Sequence, residues 1–156
     1  MKLFSKLLLA LFLLTLSAIS EASWNLKADL QQDTEKKTWF LNLTLTNNSL
    51  NSVETFKSSL PWATLEQLDM IAIPLVTHAL PMQQAIYIDD PKFDPFTITP
   101  NQVLKGQINL GERFPDLKNY NRREPIVICY RFQFAKIEKG NGEFADGCLL
   151  IHHDKK

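Results

Sequence analysis

Few residues in this chain could carry chemistry. His78, His152 and His153 are its histidines and Cys129 and Cys148 its cysteines. A serine or cysteine nucleophile would need one of those imidazoles as base and an acid to orient it, and the sequence groups no such set. The GxSxG elbow, HExxH, the P-loop and the dinucleotide fingerprint are also missing. We therefore expect no catalytic residues and no enzyme activity. Two clusters could hold metal. Asp89, Asp90 and Asp94 offer oxygens suited to calcium, and His152-His153-Asp154 offers nitrogen and oxygen to a transition metal. The ordinary reading of each is preferred. Asp90 and Asp94 precede prolines and so start turns, and adjacent histidines on a strand point to opposite faces. The expectation is no metal and no cofactor.

The two cysteines gain meaning from the start of the chain. Lys2 and Lys6 precede an apolar run from Leu7 to Leu16, interrupted only by Thr15, and Ser20-Glu21-Ala22 places small residues where a signal peptidase reads. That run is shorter than the roughly 20 residues needed to span a bilayer. Residues 1–22 therefore read as a signal peptide, with cleavage after Ala22, and residues 23–156 as a single secreted or periplasmic domain with no membrane span. In an oxidising compartment two cysteines are most simply one disulfide. Free thiols used for metal or redox work are the alternative, which a CxxC spacing would favour; here the cysteines lie 19 apart. The full chain carries 17 basic and 17 acidic residues. Without Lys2, Lys6 and Glu21 these become 15 and 16, a balance that points away from nucleic acid as a partner.

The elements that would position these residues read as strands. Trp24 to Leu30 and Thr38 to Thr46 alternate apolar and polar residues, the period of a half-buried strand. Ser52 to Leu60 is a less regular third strand that Pro61 stops. Glu66 to Ile73 reads as a short strand, with a helical turn starting at Thr64 as the alternative. Ile86 to Ile88, Phe96 to Thr99 and Leu104 to Leu110 follow, and Gly111 to Glu124 reads as a long polar crossover. Proline, asparagine and glycine punctuate about eight short strands, and no helical pattern is sustained. This is the signature of an all-β, immunoglobulin-like β-sandwich of mostly antiparallel strands.

Alternation in the closing pair puts Ile126, Ile128, Tyr130, Phe132 and Phe134 on the core face. Val127, Cys129, Arg131 and Gln133 fall on the outer face, and Cys148, Leu150 and His152 join them. Simple turns do not bring the cysteines together. A two-residue turn at Lys139-Gly140 sets Cys148 opposite Arg131, and one at Asn141-Gly142 sets it opposite Ala135. An asymmetric hairpin is expected, with a bulge near Gly147 or an irregular return through Glu143 to Asp146.

The segment from Pro74 to Met82, PLVTHALPM, is apolar but has no clean periodicity. It reads either as an irregular crossover packed over one end of the core or as an exposed loop that meets a partner, since contiguous exposed apolar surface marks interaction. Leu75, Val76, His78, Leu80 and Met82 are the candidate contacts, with Trp62, which reads either as a plug at the end of the core or as a recognition anchor.

The order Leu45-Thr46-Asn47-Asn48-Ser49, then Phe96-Thr97-Ile98-Thr99-Pro100-Asn101, Leu104-Lys105-Gly106 and a late aromatic-rich strand resembles small bacterial secreted immunoglobulin-like modules. It is similar to BsuPI-type proteinase inhibitor domains and to the β-sandwich module preceding some deuterolysin-like metallopeptidases. The chain departs at Pro100-Asn101-Gln102, where Pro-Gly is expected, and has no peptidase zinc motif. The resemblance implies a noncatalytic protein that binds an unknown protein partner in the envelope or outside the cell. Inhibition of a peptidase or other hydrolase through an inserted loop is the first alternative, and carriage of a metal or small ligand the second.

Overall fold

Alternating side chains build most of the framework directly. The computed structural model describes residues 23–36, 38–64, 66–75, 80–85, 93–118 and 125–152. β1 (Trp24–Asp33) and β2 (Thr38–Asn47) form an antiparallel hairpin whose register runs unbroken from Trp24 opposite Asn47 to Asp33 opposite Thr38. The turn between them is held by Asp33, whose Oδ1 accepts from the N–H groups of Glu35 and Lys36, as an Asx turn does. Leu41, Leu43 and Leu45 point inward from β2 and are fully buried.

The third strand is shorter than expected. β3 (Val53–Phe56) gives way to a 3-10 turn over Lys57–Ser59, and β5 (Pro95–Ile98) pairs with it. Of the two readings of residues 66–73 the strand is the one found, as β4 (Asp69–Pro74). Thr64 forms only a turn, its carbonyl accepting from Gln67 N–H. β6 (Val103–Asn109) follows a reversal at Thr99-Pro100-Asn101-Gln102, where Asn101 has a φ of 60°. Asparagine tolerates this left-handed conformation better than most residues, so it serves where Pro-Gly was expected.

The crossover after β6 is less polar in place than in sequence. Asn109 caps a single helical turn, α1 (Leu110–Arg113), by accepting from Gly111 and Glu112 N–H. A second turn follows as α2 (Pro115–Lys118), and Leu110, Phe114 and Leu117 are buried. β7 (Ile126–Gln133) and β8 (Phe144–Ile151) close the chain. The strand expected at Ile86 to Ile88 lies outside the described residues.

Among the described residues the eight strands form antiparallel sheets of order β1-β2-β6, β3-β5 and β4-β7-β8. A single hydrophobic cluster takes side chains from all three, including Trp24 and Leu26, Leu41 to Leu45, Val53 and Ile98, Met70 and Ala72, and Ile126, Ile128 and Phe132. Asn47 is a polar residue fully buried at the end of β2. Its Nδ2 donates to the carbonyls of Asn51, Ile98 and Thr99, and its Oδ1 accepts from Ser49 N–H and Oγ. That network ties the β2 end to the β3-β5 pair.

The asymmetric hairpin is not found. β7 and β8 pair without a bulge from Ile126 opposite Ile151 to Gln133 opposite Phe144, and Cys129 faces Cys148 directly. The connection is the ten-residue stretch 134–143, opened by a 3-10 turn over Phe134–Lys136, so its centre falls between Glu138 and Lys139. Gly140 supplies the positive φ (88°), and Asn141 Oδ1 accepts from Glu143 N–H. The loop is anchored from far away in sequence: Trp24 Nε1 donates to Glu138 Oε2 (2.8 Å) and Ser23 Oγ to Glu143 Oε2 (3.0 Å).

Candidate binding surface

The disulfide lies on the outer face of the β4-β7-β8 sheet. Cys129 and Cys148 are bonded, with their Cα atoms 4.0 Å apart. Ile126, Ile128, Phe132 and Phe134 point the other way and are buried, while Tyr130, on the same inner face, is only half-buried. Burial pushes the Tyr130 phenol above the usual tyrosine range, and the nearby Asp146 charge pushes it further. The phenol lies across Gly147, where a Cβ would come within 2.8 Å of its oxygen.

Strand pairing places the outer-face residues in rows. Ile73, Val127 and Leu150 form one, Ile71, Cys129 and Cys148 the next, and Asp69, Arg131 and Asp146 the third. The first two rows are apolar, and Ile71 and Leu150 are exposed. The third is ionic: Arg131 Nη2 lies 3.6 Å from Asp146 Oδ2, and its guanidinium carbon 5.0 Å from the Phe144 ring centroid. A shallow groove of about 460 Å³ runs between the disulfide row and the ionic row.

Leu75 extends the apolar rows. Its N–H donates to Pro125 O (2.9 Å), continuing the β4-β7 ladder, so it falls on the same face as Ile71 and Ile73, and it is 52% exposed. Leu80 is 83% exposed. The two bracket the stretch that holds Val76 and His78, both outside the described residues. Met82 is placed otherwise. Its side chain is buried in the core and its N–H donates to Ala72 O (2.8 Å), so the surface role expected of it is corrected.

Met82 belongs to a set of groups that cover the β4 edge. Arg113 Nη2 donates to Leu68 O (2.7 Å), Gln84 Nε2 to Met70 O (2.6 Å) and Met82 N–H to Ala72 O. These are alternate carbonyls on the side away from β7, and Pro74, next in the series, has no N–H. Arg113 is only 3% exposed, and among the described residues its Nε has no partner. Burial lowers its pKa from the ordinary arginine value, and the Asp69 charge opposes that shift.

Trp62 is half-buried, and its indole lies against Gly106 in the middle of β6, in space that a Cβ would occupy. Asp94 is exposed and pairs with Lys57 (2.6 Å). His152 is exposed just beyond β8; Asp89, Asp90 and His153 lie outside the described residues. Among the described residues no three His, Cys, Asp or Glu side chains converge as a metal site. Sequence reasoning placed Val127, Cys129, Arg131, Cys148 and Leu150 on the outer face but missed the contribution of β4. The alternation Ile71, Ile73, Leu75 was the available signal. No protein-family model and no curated protein matches the chain.

Proposed function

We propose that this chain is a secreted or periplasmic, noncatalytic binding protein with an immunoglobulin-like β-sandwich fold. Its partner is another protein, held on the outer face of the β4-β7-β8 sheet and on the segment that runs from Leu75 to Leu80. The observation that carries this reading is continuity. Ile71, Ile73, Val127, Leu150 and the disulfide form one apolar surface, Leu75 prolongs it, and a charged row borders it. An apolar centre with a polar rim is the anatomy of a protein interface. The surface disulfide and the leader-like residues 1–22 support export. No helix among the described residues is long and apolar enough to cross a membrane. Trp62 stays outside the contact surface, because its indole packs on Gly106.

Leu75→Ser together with Leu80→Ser tests the proposal. Both side chains are exposed, so thermal unfolding should stay close to that of the parent while affinity capture from the host's envelope or culture fluid loses its partner. Capture undiminished by the double substitution would refute the assignment.

A further inference from the structure

Ser23, which follows the leader-like residues 1–22, is held by both its side chain and its backbone. Its Oγ donates to Glu143 Oε2 (3.0 Å) and accepts from Asn141 Nδ2 (3.0 Å), and its carbonyl accepts from Asn48 N–H (2.9 Å). The next residue is fixed as well. Trp24 is 2% exposed, and its Nε1 donates to Glu138 Oε2 (2.8 Å), which Asn141 Nδ2 also reaches (3.1 Å). Ser23 therefore has one place in the fold, beside the half-buried carboxylates of Glu138 and Glu143.

Those carboxylates have no cation as a direct partner. The ion pairs among the described residues join Lys36 to Asp33, Lys57 to Asp94 and Arg131 to Asp146, and neither glutamate belongs to them. Of the cations on their own loop, Lys136 donates to the carbonyls of Glu66 and Gln67, and Lys139 is exposed. Lys27, the first charged residue of β1, is exposed too. The turn that holds the Ser23 carbonyl, Asn48-Ser49-Leu50-Asn51, brings no ionisable side chain. Only neutral donors, from Ser23, Trp24 and Asn141, reach the two side chains.

We propose that cleavage after Ala22 supplies a cation at this point: the new α-ammonium of Ser23 pairs with Glu143 and Glu138, and removal of the leader completes the anchoring of the 134–143 loop. The inference rests on the reading of residues 1–22 as an export leader. Hydrolysis of the Ala22–Ser23 amide consumes one water, leaving a carboxylate on Ala22 and a protonated amine on Ser23. A neutral N–H thus becomes a full positive charge. Covalent geometry sets its position. The nitrogen lies three bonds from Oγ, and Oγ is already bonded to Glu143, so the ammonium falls within about 6 Å of that carboxylate, where an opposite charge favours the ionised form. Before cleavage the same carboxylates meet neutral donors alone, and the loop is held less firmly.

Cyanate tests the pairing, because it carbamoylates an amine only in its uncharged form. Sequencing of the exported protein should place its first residue at Ser23. Near pH 7 that amine should react about three- to tenfold more slowly in the folded parent than in Glu143→Gln, read by mass spectrometry of the N-terminal peptide. Glutamine keeps an acceptor for Ser23 Oγ and removes only the charge. Glu138→Gln should act in the same direction. Should neither variant fold, the parent decides: its amine should react more slowly than that of the guanidinium-unfolded chain near pH 7, and the gap should close by about pH 10, where both are uncharged. Crowding alone would keep the gap open. A chain that begins at another residue would overturn the proposal together with the cleavage site. One that begins at Ser23 but reacts as fast as Glu143→Gln, or is slowed equally at both pH values, would leave the leader standing and overturn the pairing.

Discussion

Gly106→Ala offers the sharpest test of the packing described above. Gly106 sits in the centre of β6, opposite Leu43 of β2, and a Cβ there would overlap Cγ, Cδ2 and Cε2 of the Trp62 indole. Neither partner can yield cheaply, because the methyl group is fixed to a paired backbone and the ring atoms are the rigid part of the side chain. Overpacking of this kind costs about 1–3 kcal/mol. Against it stands a gain of about 0.4–1 kcal/mol from reducing the freedom of the unfolded chain. A net loss of about 1 kcal/mol is expected, which for a chain of this size lowers Tm by about 2–4 °C. The companion measurement is Gly106→Ala in a Trp62→Ala background, where the ring atoms that meet the methyl group are gone and the substitution should cost little or stabilise. Urea midpoints followed by far-UV circular dichroism give all four corners of the cycle. An equal loss in both backgrounds would place the cost in the β6 backbone and refute the reasoning.

Two further outcomes follow from the closing hairpin. Replacing Cys129 and Cys148 with serine should lower unfolding free energy by about 3 kcal/mol in the chain-entropy model, read from urea midpoints and matched by adding reductant to the parent protein. A loss under about 1 kcal/mol would mean that the hairpin already restrains the unfolded chain. Tyr130 gives a pH dependence. Its folded-state pKa is raised, by burial first and by Asp146 second, above the usual value of 10.0. The stability it contributes is fully present below that value and is lost as pH rises through the higher folded one. Tyr130→Phe should flatten the fall in stability above pH 10.0; an unchanged alkaline profile would assign the fall to other groups.

Much of the framework is legible in the sequence because burial on one face imposes a period of two. That holds for β1, β2, β6 and β7, and for the outward direction of both cysteines. The register of β7 on β8 was not legible. Neither tight glycine turn brings the cysteines together, and the asymmetric hairpin expected in their place gives way to a ten-residue loop anchored by Glu138 and Glu143 to Trp24 and Ser23, more than a hundred residues away. Such contacts leave no local pattern. The burial of Arg113 is hidden for a similar reason: in Leu110-Gly111-Glu112-Arg113 it reads as solvated, yet its guanidinium covers the Leu68 carbonyl just before β4. Gly106 did carry a signal, since an isolated glycine in a strand marks a close approach, but nothing in the sequence names Trp62 as what approaches. The candidate surface was half visible. Alternation oriented β7 and β8, while the addition of Ile71, Ile73 and Leu75 depends on a pairing partner that no periodicity specifies.

The covered edge of β4 limits how large an assembly this sheet could build. Sheets that are open on both sides can add chains without end, the route to fibres. Here Arg113, Gln84 and Met82 occupy the outward carbonyls of one side and Pro74 has no N–H there, which denies that side to an added strand. Losing Arg113 alone would free one of those carbonyls and leave Gln84 and Met82 over the next two.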